Sequence, residues 1–195
     1  MKLLYINCCI SVHAASRTKK LAETFLTVWK ACHPEDTVET VDLANRPVPP
    51  LDQPVLYARE AAVAAEHWDD PLLALSRQFA GADRIVLAAP FWEMSFPAAL
   101  QAYLERISVT GITFRYTPQG SEGLCRAEKM LYLTTAGGPI EGLNYGSDYL
   151  RALCRLYGIG SYHFIGAPML DVQEVDPEPY LTRALREAEQ LAETF

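Results

Sequence analysis

Short apolar runs alternate along this chain with longer segments whose apolar residues recur at helical spacing. This alternation predicts strand-helix-strand units, and therefore a parallel sheet covered by helices on both faces. The predicted strands are residues 2–7, 37–42, 84–89, 129–135 and 161–166. The predicted helices lie near residues 16–32, 58–67, 71–80, 97–109, 145–157 and 177–194. Right-handed crossovers then favour a doubly wound five-stranded α/β fold with strand order 2-1-3-4-5.

Two segments fall outside this alternation. Residues 44–57 are punctuated by prolines and predict a long loop, whereas residues 110–128 carry TFRYT and then turn-rich PQGSEG, which predicts a flap or arm. Pro71 and Pro97 each suit a helix start, where a missing amide donor does no harm. No repeat or linker divides the chain, so we expect one domain over residues 1–195.

Net charge, hydropathy and cysteine content argue against several classes of partner and site. The chain has 17 basic and 24 acidic side chains and a formal net charge of −7, which disfavours nucleic acid and anionic membranes as partners. No apolar run has the length of a membrane span, and the apolar segment at the amino terminus is too short for a secretory signal. A cytoplasmic location is therefore expected. The five scattered cysteines predict reduced thiols and no metal site.

The carboxyl ends of the first, third and fourth strands meet where ligands bind in such sheets. After the first strand comes the long connection 8–15, and Ser16 then suits the N-cap of the following helix. Ser16 and Thr18 place hydroxyl groups beside free helix amides, which form an anion site. Three cations occupy the same turn: Arg17, Lys19 and Lys20. A bound phosphate would stabilise them there, although an ordinary capped helix explains the same residues.

Known phosphate motifs are absent from this first loop. The chain has neither G-x-G-x-x-G nor G-x-x-x-x-G-K-[ST], which excludes the common dinucleotide and triphosphate loops. A cysteine phosphatase needs an arginine six residues after its nucleophile, but the positions counted from Cys8 and Cys9 hold Ala14 and Ala15. A phosphomonoester ligand, which requires none of these motifs, fits this loop better.

The other two loops suit a flat ring. Residues 90–97 (PFWEMSFP) place Phe91 and Trp92 in a connection that should be polar if it were only a loop. They can stack on a heteroaromatic ring, or they can plug the core or a subunit interface. Gly137 and Gly138 follow the fourth strand, where their amides can reach a ligand or simply form a turn. Together the three loops describe flavin mononucleotide, FMN.

Four motifs carry a resemblance to a known family. Ser16-x-Thr18, PFWEMSFPAAL, GITFRYT with the following GSEGL, and TTAGG together resemble the FMN-dependent NADH:quinone oxidoreductases of the azoreductase type, within the flavodoxin-like superfamily. The likeness covers nearly the whole chain and is most specific from Pro90 to Tyr116. It implies a homodimer that passes two electrons from NADH or NADPH, through FMN, to quinones, azo compounds or nitroaromatics by a ping-pong mechanism.

The resemblance also implies roles for individual residues. The flavin carries the chemistry, and no catalytic side chain or metal is expected, so His13, His163 and Tyr145 receive no role. The implied cofactor-binding residues are Cys9, Ser16, Thr18, Pro90, Phe91, Trp92, Glu93, Met94, Thr135, Ala136, Gly137 and Gly138. The implied substrate-lining residues are Met94, Leu156 and Tyr116, the last reaching the active site of the other subunit.

The chain differs from the usual family sequence at two places near the implied flavin site. Glu93 stands where an asparagine is usual, and its carboxylate would disfavour anionic reduced flavin and lower the flavin potential. Cys8 and Cys9 stand where serine is frequent near the phosphate. Two alternatives therefore stay open: a flavodoxin-like electron carrier, and a flavin-binding dimer without strong reductase activity. FAD is the alternative cofactor, and no motif distinguishes NADH from NADPH.

Overall fold

The computed structural model describes residues 1–11 and 15–195. The predicted cradle 8–15 therefore lies partly outside the described residues, and His13 lies outside them entirely. The main sheet contains five parallel strands, β1 (Lys2–Asn7), β2 (Thr37–Asp42), β3 (Arg84–Ala88), β6 (Lys129–Thr135) and β7 (Ser161–Ala167). Their order is β2-β1-β3-β6-β7, which confirms the predicted order 2-1-3-4-5.

The described residues form six α-helices, of which the sixth follows the last strand and the others lie between strands. They are α1 (Arg17–Cys32), α2 (Gln53–Ala64), α3 (Ala74–Ala80), α4 (Ala98–Ile107), α5 (Tyr145–Tyr157) and α6 (Glu178–Ala192). The helix predicted over 71–80 begins as a single 3₁₀ turn at Pro71–Leu73 and continues as α3. Pro71 occupies the first turn as expected, whereas Pro97 is the N-cap of α4.

The prediction for the second helix is wrong in its position. The sequence predicted a loop over 44–57 and a helix near 58–67, but α2 already begins at Gln53 and ends at Ala64. The side chain of Asp52 accepts a hydrogen bond from the Val55 amide at 2.9 Å and caps the helix. Pro54 sits in the first turn, where its missing amide costs nothing.

Two hydrophobic layers cover the opposite faces of the sheet. Leu4 and Ile6 of β1 point into the layer formed with α3, α4 and α5, whereas Leu3 and Tyr5 point into the layer formed with α1 and α6. This alternation follows from the two-residue period of a strand. Every residue of β3 is buried, as expected for a central strand. The mixed exposure of β2 fits its place at the edge.

The predicted flap is a two-stranded antiparallel hairpin. Its strands are β4 (Phe114–Thr117) and β5 (Gly120–Gly123). Phe114 is buried in the core at its base, whereas Tyr116 projects outward and is 74% exposed. A side chain at Gly123 would collide with the backbone at Gly158, since a Cβ would lie 2.0 Å from the Gly158 nitrogen. The hairpin therefore packs backbone against backbone on the C-terminal end of α5.

The carboxyl ends of β1, β3 and β6 are tied together. The Cys8 amide donates to the Ala88 carbonyl at 2.8 Å, and the Phe91 amide donates to the Thr135 carbonyl at 3.0 Å. The Thr134 hydroxyl also donates to the Ala89 carbonyl at 2.7 Å. These bonds bring the three predicted ligand loops to one edge of the sheet. Within the described part of the chain, no helix is long and apolar enough to cross a membrane.

Candidate functional site

A cleft of about 370 Å³ opens at this edge of the sheet. The loops after β1, β3 and β6 and the start of α1 form its walls. The predicted site residues that line it are Ser16, Thr18, Pro90, Phe91, Trp92, Thr135 and Gly137. Ile10, Ser11, Ala15, Arg17 and Asp171 also line it. The cleft thus joins the helix start, the aromatic loop and the first of the two glycines.

The start of α1 forms one end of the cleft. Ser16 is the N-cap, and its hydroxyl accepts a hydrogen bond from the Lys19 amide at 3.2 Å. The first-turn amides of Arg17 and Thr18 have no acceptor among the described residues. Free amides at a helix N-terminus attract anions, because they point outward at the positive end of the helix dipole. This end of the cleft can therefore hold a phosphate.

The structure places the hydroxyl of Thr18 differently from the sequence prediction. Thr18 is 2% exposed, and its Oγ1 lies 2.6 Å from Oγ1 of Thr135, one hydroxyl donating to the other. The sequence prediction offered this hydroxyl to the phosphate. In the structure it joins α1 to β6, so the backbone amide of Thr18 is the group left for an anion.

Arg17 is held by Asp171, a residue that no local sequence pattern placed at the site. Its Nη2 donates to both carboxylate oxygens of Asp171 at 2.8 and 2.9 Å, and its Nη1 donates to the Leu170 carbonyl at 2.8 Å. The Asp171 amide in turn donates to the Gly137 carbonyl at 3.0 Å. One ion pair thus bridges the start of α1 and the loop after β6.

The aromatic loop contains a tight two-residue turn. Trp92 and Ser95 exchange backbone hydrogen bonds of 3.2 and 2.7 Å across it. Glu93 and Met94 at its tip have φ angles of 48° and 61°, a left-handed pair that favours Asn-Gly. The Tyr145 amide at the start of α5 donates to the Met94 carbonyl at 3.0 Å and fastens the turn. Strained backbone that is fixed in this way is frequent at functional sites.

The two glycines after β6 present backbone donors. Among the described residues, the amides of Gly137 and Gly138 have no acceptor, whereas the carbonyls of both accept bonds from the segment after β7. A Cβ on Gly137 would lie 2.8 Å from the Asp171 carboxylate, so this position has no room for a side chain. A Cβ on Gly138 would meet nothing within 4 Å. The loop can therefore offer amides to a polar ring edge.

The remaining predicted residues do not line the cleft itself. Cys9, in the loop after β1, is buried in the layer formed with α1 and α6, and Ala136 is buried beside Thr135. The side chain of Glu93 is exposed, and Met94 is 45% exposed at the turn. Gly138 follows Gly137 outside the cleft. Leu156 on α5 packs partly against the core, and Tyr116 projects from the hairpin.

Neither vicinal thiol is activated. Burial raises the pKa of the Cys8 and Cys9 thiols to about 12. The Cys9 thiol donates to the Ala88 carbonyl at 3.6 Å. Both cysteines are therefore protonated small hydrophobic residues at neutral pH. All five cysteines of the chain are free thiols. No cluster of three or more potential metal ligands occurs in residues 1–11 and 15–195.

Comparisons with known proteins agree with this architecture. A family model described as a flavodoxin-like fold matches residues 1–192. The chain is 34% identical to an FMN-dependent NADH:quinone oxidoreductase of Coprothermobacter proteolyticus, with 100% of this chain and 99% of that protein covered. It is 36% identical to an FMN-dependent NADH:quinone oxidoreductase 2 of Clostridium acetobutylicum, with the same coverage.

Two solved structures are similar over the whole fold. An azoreductase from Bacillus anthracis str. Sterne superposes with a TM-score of 0.88 at 25% identity, covering 100% of this chain and 99% of that one. An FMN-dependent NADH-azoreductase from Bacillus anthracis str. Ames Ancestor, in complex with FMN, superposes with a TM-score of 0.83 at 26% identity, covering 98% of both chains.

Proposed function

The chain belongs to the flavodoxin-like family of FMN-dependent NADH:quinone oxidoreductases, and on that premise we propose that it passes two electrons from NADH or NADPH to quinones and azo compounds. Nitroaromatic compounds are proposed as further acceptors. The observation that carries the proposal is the single cleft in which free helix amides, an aromatic loop and a glycine-lined edge meet. A phosphorylated flat ring needs these three kinds of surface.

The residues of the cleft fit FMN at both of its ends. We propose that the Ser16 hydroxyl and the first-turn amides of Arg17 and Thr18 hold the phosphate, because these amides lack another acceptor in the described residues. Phe91 and Trp92 would cover the ring, and the Gly137 and Gly138 amides would face its pyrimidine edge. Bound FMN supplies the redox chemistry, since a flavin takes up a hydride and returns two electrons.

The chain itself orients both substrates and stabilises charge. Trp92 is 44% exposed and forms part of the wall, so a nicotinamide or a quinone can stack beside it. The backbone donors of Gly137 and Gly138 would stabilise negative charge at the ring edge. The exposed carboxylate of Glu93, next to the lining residue Trp92, would work against that charge and lower the flavin potential. No side chain of the chain needs to transfer a proton.

We propose that the two substrates use the same space in turn, which is a ping-pong mechanism. One open cleft serves the proposed ring, and exposed Met94, on the turn that begins at the lining residue Trp92, would contact either substrate. Initial rates measured at several concentrations of NADH and of a quinone test this point. Parallel lines in the double-reciprocal plot are expected, and intersecting lines would contradict a shared site.

We also propose that the chain acts as a homodimer. Trp92 and Met94 are large apolar side chains left exposed on the strained turn, and Tyr145, 60% exposed, is bonded to that turn through its amide. Exposed apolar clusters of this kind mark interfaces. Tyr116 on the hairpin would reach the cleft of the other subunit. Sedimentation should give the dimer mass, and Tyr116→Ala should raise the KM for the acceptor while Tyr116→Phe retains it.

The direct test of the function uses the purified protein. It should be yellow, and chromatography of the heat-released flavin should identify FMN; FAD would correct the cofactor. Anaerobic NADH or NADPH should bleach the flavin absorbance, and a quinone should restore it. A colourless protein that takes up no added flavin contradicts the proposal. Bleaching only with a partner reductase would indicate an electron carrier. The cytoplasmic location and the single domain over 1–195 stay predictions.

A further inference from the structure

Arg17 and Asp171 occupy the wall of the cleft next to the proposed phosphate position. Both residues line the cleft, and Nη2 of Arg17 contacts both carboxylate oxygens of Asp171 at 2.8 and 2.9 Å. Arg17 is the one cation among the described lining residues, because Lys19 and Lys20 in the same turn do not line the cleft. Lys19 is instead paired with Glu23 at 3.7 Å. Arg17, the cation best placed to bind a phosphate, is thus already paired with Asp171.

The pair is exposed enough to exchange partners. The side chains of Arg17 and Asp171 are 36% and 63% exposed. Ion pairs between exposed groups contribute little, because water and salt screen them. A guanidinium can donate two parallel hydrogen bonds to a phosphate, whereas Arg17 contacts the Asp171 carboxylate through one nitrogen only, and the phosphate carries more charge. A move to the phosphate would cost Arg17 this weak ion pair and the hydrogen bond from its Nη1 to the Leu170 carbonyl, and charge-assisted bonds to the phosphate would replace both.

Asp171 is fixed in place independently of Arg17. Its amide donates to the Gly137 carbonyl at 3.0 Å, and its carboxylate lies against the Gly137 backbone, where a Cβ would come within 2.8 Å. The carboxylate therefore stays beside the cleft when Arg17 moves away, and it recovers the guanidinium when the phosphate leaves.

We propose that Asp171 competes with the flavin phosphate for Arg17 and so sets how tightly this chain holds FMN. The inference rests on the proposed function, because it needs FMN in the cleft. Arg17 is the residue that binds the phosphate, and Asp171 is the positioning residue that acts through Arg17 and that the phosphate must displace. The competition lowers affinity for the phosphorylated flavin and leaves the dephosphorylated flavin unaffected.

The test compares two flavins that differ only in the phosphate. Apoprotein is titrated with FMN and with riboflavin, and the quenching of flavin fluorescence gives each Kd. Asp171→Asn keeps the shape and the backbone bond to Gly137 while removing the charge. It should lower the Kd for FMN about threefold to fivefold, the upper part of the range for an exposed ion pair, and leave the Kd for riboflavin unchanged. Arg17→Gln should raise the Kd for FMN about tenfold, again without effect on riboflavin.

The double variant separates competition from simple repulsion. If Asp171 acts by holding Arg17, the gain from Asp171→Asn largely disappears in the Arg17→Gln background. An equal gain in both backgrounds means that Asp171 only repels the phosphate, and this result overturns the proposal. Equal shifts for FMN and riboflavin overturn it too, since they indicate a structural role.

Failure of this inference is distinct from failure of the proposed function. A wild-type protein that binds FMN, while Asp171→Asn leaves its Kd unchanged, contradicts the competition alone. A wild-type protein that binds neither flavin contradicts the proposed function and the competition together.

Discussion

The hydroxyl of Thr18 on α1 lies 2.6 Å from the hydroxyl of Thr135 at the end of β6. Thr135 is 8% exposed, and Thr18 is buried still more completely, so each hydroxyl depends on the other for its hydrogen bond. This contact fixes the helix start, with its free amides, relative to the carboxyl end of the sheet. The anion-binding geometry of α1 is therefore set by a neutral contact that does not itself touch the anion.

Thr18→Val should destabilise the protein, because it leaves the buried Thr135 hydroxyl without a partner. The expected loss in free energy of unfolding is about 1–3 kcal/mol, measured by urea denaturation. Thr18→Ser keeps the hydroxyl and should lose less. The double variant Thr18→Val with Thr135→Val should recover much of the stability, since both polar groups are gone. A double variant as unstable as the sum of the two singles would contradict this account.

Met94→Gly should be more stable than Met94→Ala. Both variants remove the same half-exposed side chain, but only glycine adopts the φ angle of 61° without cost. The expected difference in free energy of unfolding is about 1 kcal/mol in favour of glycine. In ordinary backbone the order is reversed, so an advantage for alanine would show that the turn is not left-handed.

Phe195→Ala should destabilise the layer between α1 and the sheet. The ring is 1% exposed and meets Phe25 edge-on, with centroids 5.3 Å apart. Truncating a buried phenylalanine costs about 3–5 kcal/mol. Phe195→Leu is the control that keeps most of the volume. Urea denaturation measures both variants, and a loss near zero for alanine would mean that the ring does not pack as described.

Alkaline pH should weaken the fold through its buried thiols. Burial raises the pKa of Cys8 from 9.0 to about 12, so the folded state keeps a proton that the unfolded state loses. Stability is then fully present below about pH 9 and falls as the pH rises toward 12. Each such thiol should cost about 1 kcal/mol between pH 9 and 10.

The thiol contribution can be isolated with matched variants. Cys8→Ala should flatten the decline of unfolding free energy between pH 8 and 10, whatever its effect at neutral pH. Cys32→Ala removes an exposed thiol and serves as the control for cysteine removal. Identical slopes for wild type and Cys8→Ala would refute a buried, protonated Cys8.

The sequence pattern predicted the sheet well, because the burial of each strand is visible in its own few residues. The buried run at 84–89 and the alternating run at 37–42 separated a central strand from an edge strand, and right-handed crossovers then gave the strand order. The misplaced α2 had signals of its own, since Asp52 and Pro54 form a capped helix start. They were outweighed by the surrounding prolines, which suggested a loop.

The site was predicted less completely because its contacts join distant segments. The burial of Thr18 was visible in principle, since it precedes Leu21 and Ala22 on the buried face of α1 by three and four residues. The pairing of Arg17 with Asp171 could not be predicted in this way, because no local sequence pattern relates a helix start to a loop so far along the chain. The loops themselves were located correctly because all three follow strand ends.

The contact between Gly123 and Gly158 has a mechanical consequence. No side chain separates the two backbones, and a Cβ on Gly123 would have no room. The root of the arm that bears Tyr116 therefore lies directly against the C-terminal end of α5. The distance between the Tyr116 side chain and the body of the protein is therefore limited by the length of two four-residue strands.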